Sequence, residues 1–281
     1  MDNYCAATHR NHSLDLATWL RKHPWGLSHI LISDKHKLLF CSVPKVSSTN
    51  WKNVFLILNG NVSLQNVRDG DGLSLDRTHG NTVTLDQYNL TLDELRLRLE
   101  TYTSFLFVRN PFTRALSAYR DKFQSEKSTD FNYIRTVYGP KMNGYGNRSL
   151  TEDDPEYTSA TFSEFARYVG DPRTRFGIAE DHWTPMADLC FPCQHKYDVI
   201  GNLETYSRDT RMILTGKIGR PELYGVAMRK PPQTTNSSES AQMRRYFSSL
   251  SEGEIQGLKR RYVDDLNLFG YGVPTFLLSS R

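Results

Sequence analysis

The sequence predicts an α/β protein, a three-layer core with a mostly parallel central sheet. Three observations predict it. Two short apolar runs, LLFCSV at 38–43 and TSFLFV at 103–108, have the unbroken hydrophobicity of strands buried on both faces. Each passes through a short polar turn into a segment whose apolar residues recur at helical spacing. A third strand-to-loop junction, YDVIGNLE at 197–204, follows much later in the chain. Strands that alternate with helices pair in parallel, because each crossover returns the chain to the strand's starting end.

Taken in order, residues 1–37 form a polar, His-rich N-terminal segment with an amphipathic piece, LDLATWLRKH, and a short strand, HILIS. The core domain is expected over 38–281. Its first strand is bounded by Pro44. Asn50 to Leu58 reads as a helix, because Trp51, Val54, Phe55 and Leu58 stand at i, i+3, i+4 and i+7, and Asn59-Gly60 supplies a C-terminal stop. NVRDGDGLSLDRTHGN is a Gly/Asp-rich loop, followed by a charged helix around TLDELRLRLETY. After the second strand, Pro111 suits the first helical position, and Phe112, Ala115, Leu116, Tyr119 and Phe123 mark that helix's apolar face. Residues 124–160 turn polar and read as a long insertion of surface or substrate contacts. Thr161 and Glu164 stand at capping-box spacing and open the helix TFSEFARYV. Residues 241–268 are helical and end at FGY.

At 281 residues and 38% hydrophobic content, the chain can bury a sizeable core. Its net charge of +4 favours anionic ligands and is too small to imply a nucleic-acid partner. The cysteines, Cys5, Cys41, Cys190 and Cys193, do not make a disulfide-dense scaffold. Asn-x-Ser/Thr triplets at Asn11, Asn61, Asn89, Asn147 and Asn236 exceed the roughly two or three expected by chance and lean toward the secretory pathway. No apolar run is long enough to span a bilayer, and MDNYCAATHRNH is not a signal peptide. The sequence therefore reads as soluble, or as a luminal domain whose anchor lies outside it.

The chemistry concentrates at the first two junctions. In PKVSSTN, Lys45 stands at the carboxyl end of a strand, with Ser47, Ser48 and Thr49 at the start of a helix. The first turn of a helix has unsatisfied N–H groups and a partial positive charge, so it suits a phosphate. Hydroxyls add donors and a lysine adds a point charge. An ATP-binding P-loop would read G-x-x-x-x-G-K-[ST]. Here the lysine precedes the hydroxyls and glycine is absent, which disfavours an ATP kinase. An ordinary N-cap is the alternative. FLFVRNPFTRALSAYRDKF repeats the arrangement: Arg109 ends a strand, Asn110 caps, and Arg114 and Ser117 lie one turn apart, off the apolar face. An arginine there points into the crevice where open α/β sheets bind ligands. The alternative, for this stretch alone, is a solvated arginine and an inert serine. Together the two junctions suggest a ligand with two separate phosphate groups.

CSVPKVSSTNWKNVFLIL resembles the 5′-phosphosulfate loop of the Golgi carbohydrate sulfotransferases, in the branch that sulfates chondroitin and dermatan. FVRNPFTRALSAYRDKF resembles that branch's 3′-phosphate motif. DHWTPMADLCFPCQHKYDVIGNLET and RRYVDDLNLFGY agree, giving four blocks in the family's order across most of 31–271. The resemblance implies a P-loop-like sulfotransferase fold. It also implies in-line transfer of a sulfuryl group from 3′-phosphoadenosine 5′-phosphosulfate (PAPS) to a sugar hydroxyl, with the GalNAc 4-hydroxyl of a chondroitin- or dermatan-type glycan as first expectation. In that reading Lys45 is catalytic and stabilises charge on the leaving phosphate. Ser47, Ser48, Thr49 and Asn50 complete the 5′ cradle, while Arg109 and Ser117 bind the 3′-phosphate. No metal is needed, because no water is activated. The family's setting is the Golgi lumen, with a type II membrane anchor not visible in this sequence.

A general base should take the acceptor hydroxyl's proton, which suits a histidine. His182, in a family-matching block, is the candidate and His79, in RTHG, the runner-up; either has a surface or structural role as its alternative. Glu204 also matches the family and either orients a substrate or closes a local hydrogen-bond network. Ser48 stands where many members carry cysteine, and a hydroxyl donates better than a thiol, so nucleotide binding should survive. Cys190-x-x-Cys193 lacks the further ligands of a zinc site, leaving a disulfide or two reduced buried thiols. The tyrosines of 133–157 suit stacking on sugar rings, or ordinary packing. The basic residues Arg68, Arg77, Arg135, Lys141 and Arg148 suit an anionic glycan, or plain solvation. Two other classes compete: an inactive glycan-binding protein on the same scaffold, opposed by both intact anion sites, and a nucleotide kinase, opposed by the missing glycines.

Overall fold

Four short strands lie side by side in the computed structural model, which describes residues 2–8, 15–69, 78, 80–125, 131–174, 180–229 and 235–277. They are β1 (Ile30–Ser33), β2 (Leu38–Cys41), β3 (Thr103–Val108) and β4 (Val199–Asn202), in that spatial order. β1 and β2 pair antiparallel, with Ile30 opposite Cys41. β2 and β3 pair in parallel, with Leu38 opposite Thr103, and so do β3 and β4, with Phe105 opposite Val199. The sheet is thus mostly parallel with one antiparallel edge, as the strand–helix alternation predicts.

The chain divides into two compact units, Met1–Arg109 with Met186–Lys230, and Asn110–Pro185 with Pro231–Arg281. The first holds the whole sheet. The Ser48–Leu58 helix packs Trp51, Val54, Phe55 and Leu58 into the core at the expected spacing. Trp51 is fully buried, its ring 4.8 Å from Phe105 and 5.6 Å from Phe107. Such aromatic pairs contribute about 0.5–1.5 kcal/mol each beyond the area they bury. A separate cluster joins Ile30, Ile32 and Leu39 to Leu20, Leu95 and Leu99 of the Leu16–Lys22 and Leu92–Thr101 helices.

The cysteines depart from expectation. Cys190 and Cys193 neither pair with each other nor stay reduced: Cys190 bonds Cys41 at the end of β2, and Cys193 bonds Cys5. The backbone explains it. The Met186–Cys190 helix stops at Cys190 and Phe191 turns through φ +51°, while the Cα atoms of the distant partners approach to 5.8 and 5.4 Å, within bridging range.

The second unit is helical, built on a core that includes Phe112, Leu116, Tyr119, Phe165, Trp183 and Phe247. The Pro111–Tyr119 helix runs into a π-helical turn, Arg120–Gln124. The Phe162–Gly170 helix opens with the expected capping box, the Thr161 side chain accepting from the Glu164 N–H and the Glu164 carboxylate from the Thr161 N–H. It crosses the Glu252–Arg261 helix at Gly170, where a Cβ would lie 2.9 Å from the Gly257 carbonyl carbon.

The polar insertion is more than surface. Within it the Phe131–Asn143 helix buries Ile134, Tyr138 and Met142, four residues apart on one face. Gly139 and Pro140 mask that periodicity in the sequence. Gly139 serves close approach, because a Cβ there would lie 2.3 Å from the Thr158 carbonyl oxygen. Its basic residues have partners close by in the chain. Arg148 forks onto Glu164 at 2.6 Å and Glu156 at 2.9 Å, Lys141 lies 4.5 Å over the Tyr138 ring, and Arg135 donates to the Thr158 carbonyl at 3.2 Å. Arg77 and the side chain of Arg68 lie outside what is described. Among the described residues no helix is long and apolar enough to cross a membrane.

Candidate active site

In the first unit, the loop that follows β2 is anchored from within. Ser42, Val43 and Val46 are buried, and the Val46 N–H donates to the Val43 carbonyl at 3.3 Å. Lys45 and Ser47, on either side of Val46, take φ of +68° and +56°. Left-handed backbone costs a non-glycine residue roughly 1 kcal/mol or more, so two such residues in one loop need holding in place. Turns of this kind direct successive N–H groups to one side, which suits an anion. Ser47 occupies the N-cap of the Ser48–Leu58 helix, and its own side chain makes no capping hydrogen bond. Its carbonyl accepts from the N–H groups of Asn50 at 3.1 Å and Trp51 at 3.3 Å. Lys45, Ser47, Ser48, Thr49 and Asn50 are all half-buried.

Arg109 does what its place at the end of β3 allows. β2 and β3 are parallel neighbours, so their carboxyl ends lie side by side. The Arg109 guanidinium, only 6% exposed, donates from Nη1 to the Lys45 carbonyl at 3.1 Å. It therefore ties the second strand–helix junction to the first. Asn50 faces the other way: its Nδ2 donates to the carbonyls of Ala227 at 2.8 Å and Arg229 at 2.9 Å, engaging both amide hydrogens. The Tyr206 hydroxyl joins it on the Ala227 carbonyl at 2.9 Å, and burial pushes that phenol up to about 12, so it remains a donor at neutral pH. Glu204 is exposed and lines an open concavity of about 820 Å³ with Ser207, Arg208 and Arg211, beyond the carboxyl end of β4.

In the second unit, Arg114 and Ser117 are both buried, 1% and 3% exposed, although their spacing placed them off the apolar face. Arg114 donates to the carbonyls of Thr184 at 2.6 Å and Asp181 at 2.7 Å, and burial holds its pKa below the ordinary arginine value. It thereby fastens the Asp181-His182-Trp183 segment to the Pro111–Tyr119 helix. Trp183 is fully buried, and its carbonyl accepts from the Tyr262 hydroxyl at 2.8 Å. On this fixed segment His182 keeps 19% of its side chain exposed, with Nδ1 2.7 Å from Asp181 Oδ1 but not aligned as a hydrogen bond. A carboxylate beside Nδ1 favours the tautomer protonated there, leaving Nε2 able to accept a proton. Ser117 Oγ lies 2.9 Å from Thr235 Oγ1. His79 lies outside the described residues.

The structure thus brings Lys45, Ser47, Asn50 and Arg109 together in one unit, and links the helix of Ser117 to the His182 segment in the other. Sequence reasoning missed Tyr206, Thr235 and the anchoring use of Arg114, since each acts on a partner far away in the chain. Among the described residues no group of three or more His, Cys, Asp or Glu side chains is gathered as a metal ion would require.

Comparison with known proteins gives this geometry its context. The sulfotransferase family matches residues 28–272. The chain is 34% identical over 276 residues to carbohydrate sulfotransferase 10 of Danio rerio, covering 91% of this chain and 72% of that protein. It is 33% identical over 258 residues to carbohydrate sulfotransferase 11 of Danio rerio, covering 90% and 70%. It is 33% identical over 269 residues to carbohydrate sulfotransferase 12 of Mus musculus, covering 90% and 62%. No solved structure matches. A mostly parallel α/β sheet and similarity along nearly the whole chain converge: the protein belongs to the sulfotransferase family, among the enzymes that transfer a sulfuryl group to a carbohydrate.

Proposed function

We propose that this enzyme takes its sulfuryl group from PAPS and delivers it to the 4-hydroxyl of GalNAc in a chondroitin- or dermatan-type glycan. The observation that carries the donor reading is the loop after β2, with Lys45 and Ser47 left-handed and the Lys45 carbonyl held by Arg109. Its first helical turn, which the Ser47 side chain does not cap, and its half-buried hydroxyls fit a 5′-phosphosulfate. When bound, the donor supplies the sulfuryl group and a phosphate leaving group. Lys45 places a positive charge where negative charge grows on that phosphate, and Ser47, Ser48 and Thr49 add donors. Asn50 has committed its amide hydrogens to the backbone at 227–229, so it serves the cradle by fixing that segment. Arg109 and Ser117 serve the 3′-phosphate. His182 takes the proton of the acceptor hydroxyl on Nε2 while Asp181 steadies the ring from Nδ1.

The Golgi lumen is the proposed compartment. Two disulfides support it, since such bonds persist where the surroundings are oxidising. So do the sequon asparagines Asn61, Asn89, Asn147 and Asn236, all exposed and open to glycosylation.

Calorimetric titration with adenosine 3′,5′-bisphosphate and with ATP tests the donor. Tight binding of the bisphosphate and weak binding of ATP is expected. A folded protein that binds neither would leave an inactive glycan-binding scaffold, and preference for ATP would point to a kinase. Disaccharide analysis of chondroitin sulfated by the enzyme tests the acceptor, and sulfate at any position other than the GalNAc 4-hydroxyl overturns that part.

A further inference from the structure

In the second unit, the Ser240–Phe247 helix buries Met243 and Phe247 in the core and leaves Arg244 and Arg245 exposed. Each arginine lies against a ring. The Arg244 guanidinium stands 5.1 Å from the centre of the Phe276 ring, and that of Arg245 5.8 Å from the centre of the Tyr246 ring. Both rings are half-buried against the same core, and the Tyr246 hydroxyl donates to Gln124 Oε1 at 2.6 Å, so they are fixed platforms. Arg120 adds a third guanidinium, 5.7 Å from the Tyr246 ring centre. Among the described residues no carboxylate forms an ion pair with Arg244 or Arg245. One helical turn away from them stand Ser240, Ala241, Gln242, Phe247, Ser248 and Ser249, none of them acidic. Exposed arginines elsewhere do meet acids, as Arg173 meets Asp171 and Arg208 meets Asp209. The helix dipole accounts for cations in the last turn, but not for guanidinium groups laid on rings. A stacked guanidinium keeps its fork of N–H donors aimed in one direction, which suits a carboxylate, and the ring beside it suits the apolar face of a sugar.

We infer that Arg244 and Arg245, with the rings of Phe276 and Tyr246, form a surface that grips an anionic glycan chain by its carboxylates. The inference rests on the acceptor reading above and deepens it, naming the residues that hold the polymer without taking part in transfer. Charge complementarity selects this occupant. A chondroitin-type chain carries a carboxylate on alternate sugars, and a few well-held cations beside aromatic rings match that spacing of charge and apolar face. The net charge of +4 over the whole chain is too small to favour a nucleic acid instead.

The test measures binding of chondroitin and of carboxyl-reduced chondroitin to the unmodified protein and to the double variant Arg244→Gln, Arg245→Gln. Both side chains are exposed and buried Met243 and Phe247 anchor the helix, so the variant is expected to fold and to melt like the unmodified protein. It is expected to bind intact chondroitin about five- to tenfold more weakly, as loss of two exposed ionic contacts would, and the carboxyl-reduced chain no differently. In sulfate transfer its KM for chondroitin is expected to rise by the same factor at unchanged kcat, with affinity for adenosine 3′,5′-bisphosphate unchanged. If the variant binds chondroitin as tightly as the unmodified protein while both sulfate it, the surface is overturned and the acceptor reading stands. Equal weakening of the intact and the carboxyl-reduced chains also overturns it, because the arginines would then not be reading carboxylates. An unmodified protein that neither binds nor sulfates chondroitin removes the acceptor reading and the surface with it.

Discussion

Lys45 is asked for two different things, a left-handed backbone and a positive side chain, and a single substitution separates them. Glycine adopts φ near +68° without strain and carries no charge. Lys45→Gly is therefore expected to melt no earlier than the unmodified protein, while kcat for sulfate transfer falls about a hundredfold or more. Retained kcat in a folded Lys45→Gly protein would remove Lys45 from the chemistry. Much at this scale was legible in the sequence: a lysine and an arginine, each ending an apolar strand, can only stand at the sheet's carboxyl edge. Other roles were not. Asn50 sits among hydroxyl residues that suit a phosphate, yet its amide turns to carbonyls 177 and 179 residues away. Thr235 lies 118 residues from Ser117, and no local pattern marks a partner at that range.

Among the elements, those with a local physical signature were the readable ones. The capping box at Thr161 and Glu164 is written into a few neighbouring residues and forms as expected. The Phe131–Asn143 helix was not readable, because Gly139 and Pro140 sit where helix formers would be and because its apolar face is sparse. The crossing of the Phe162–Gly170 and Glu252–Arg261 helices depends on a glycine that periodicity treats as a gap. Gly170→Val would drive its Cβ against the Gly257 backbone and is expected to cost about 1–3 kcal/mol. The check is a lower urea midpoint at unchanged m-value. Gly257→Ala, whose Cβ would meet its nearest neighbour at 3.4 Å, should cost less, and equal losses would show that the crossing does not depend on close backbone approach at Gly170.

For the molecule as a whole, pH sets stability through groups that bind protons differently when folded. His195 is buried beside Tyr197, and burial pulls its pKa from 6.5 down to about 4, with Asp198 opposing. The folded state keeps the ring neutral where the unfolded chain would protonate it, so this stability is full above pH 6.5 and is lost as pH falls toward 4. The loss amounts to about 3 kcal/mol at most. Burial alone would raise the Glu164 carboxyl, but hydrogen bonds from Arg148 and Thr161 hold it below its ordinary value. Its contribution is present above about pH 4.5 and is lost as pH falls through the lowered value. Urea midpoints taken from pH 7 to pH 4.5 should fall for the unmodified protein and fall less for His195→Phe. Parallel slopes would exclude His195 as the source.

The two disulfides also impose an order on synthesis. Cys41 is joined to a residue 149 positions later and Cys5 to one 188 positions later, so one closure is nested inside the other. At about 5–20 residues per second, a ribosome leaves the thiol at the end of β2 without its mate for roughly ten to thirty seconds. Through that interval Cys5 stands ready as a nearer mate, and when Cys190 and Cys193 emerge they do so almost together and adjacent to each other. The strand that leads into the Lys45 loop is thus cross-linked late. A cell that makes this enzyme must keep early thiols from committing to the nearer, wrong mate until the last ones arrive.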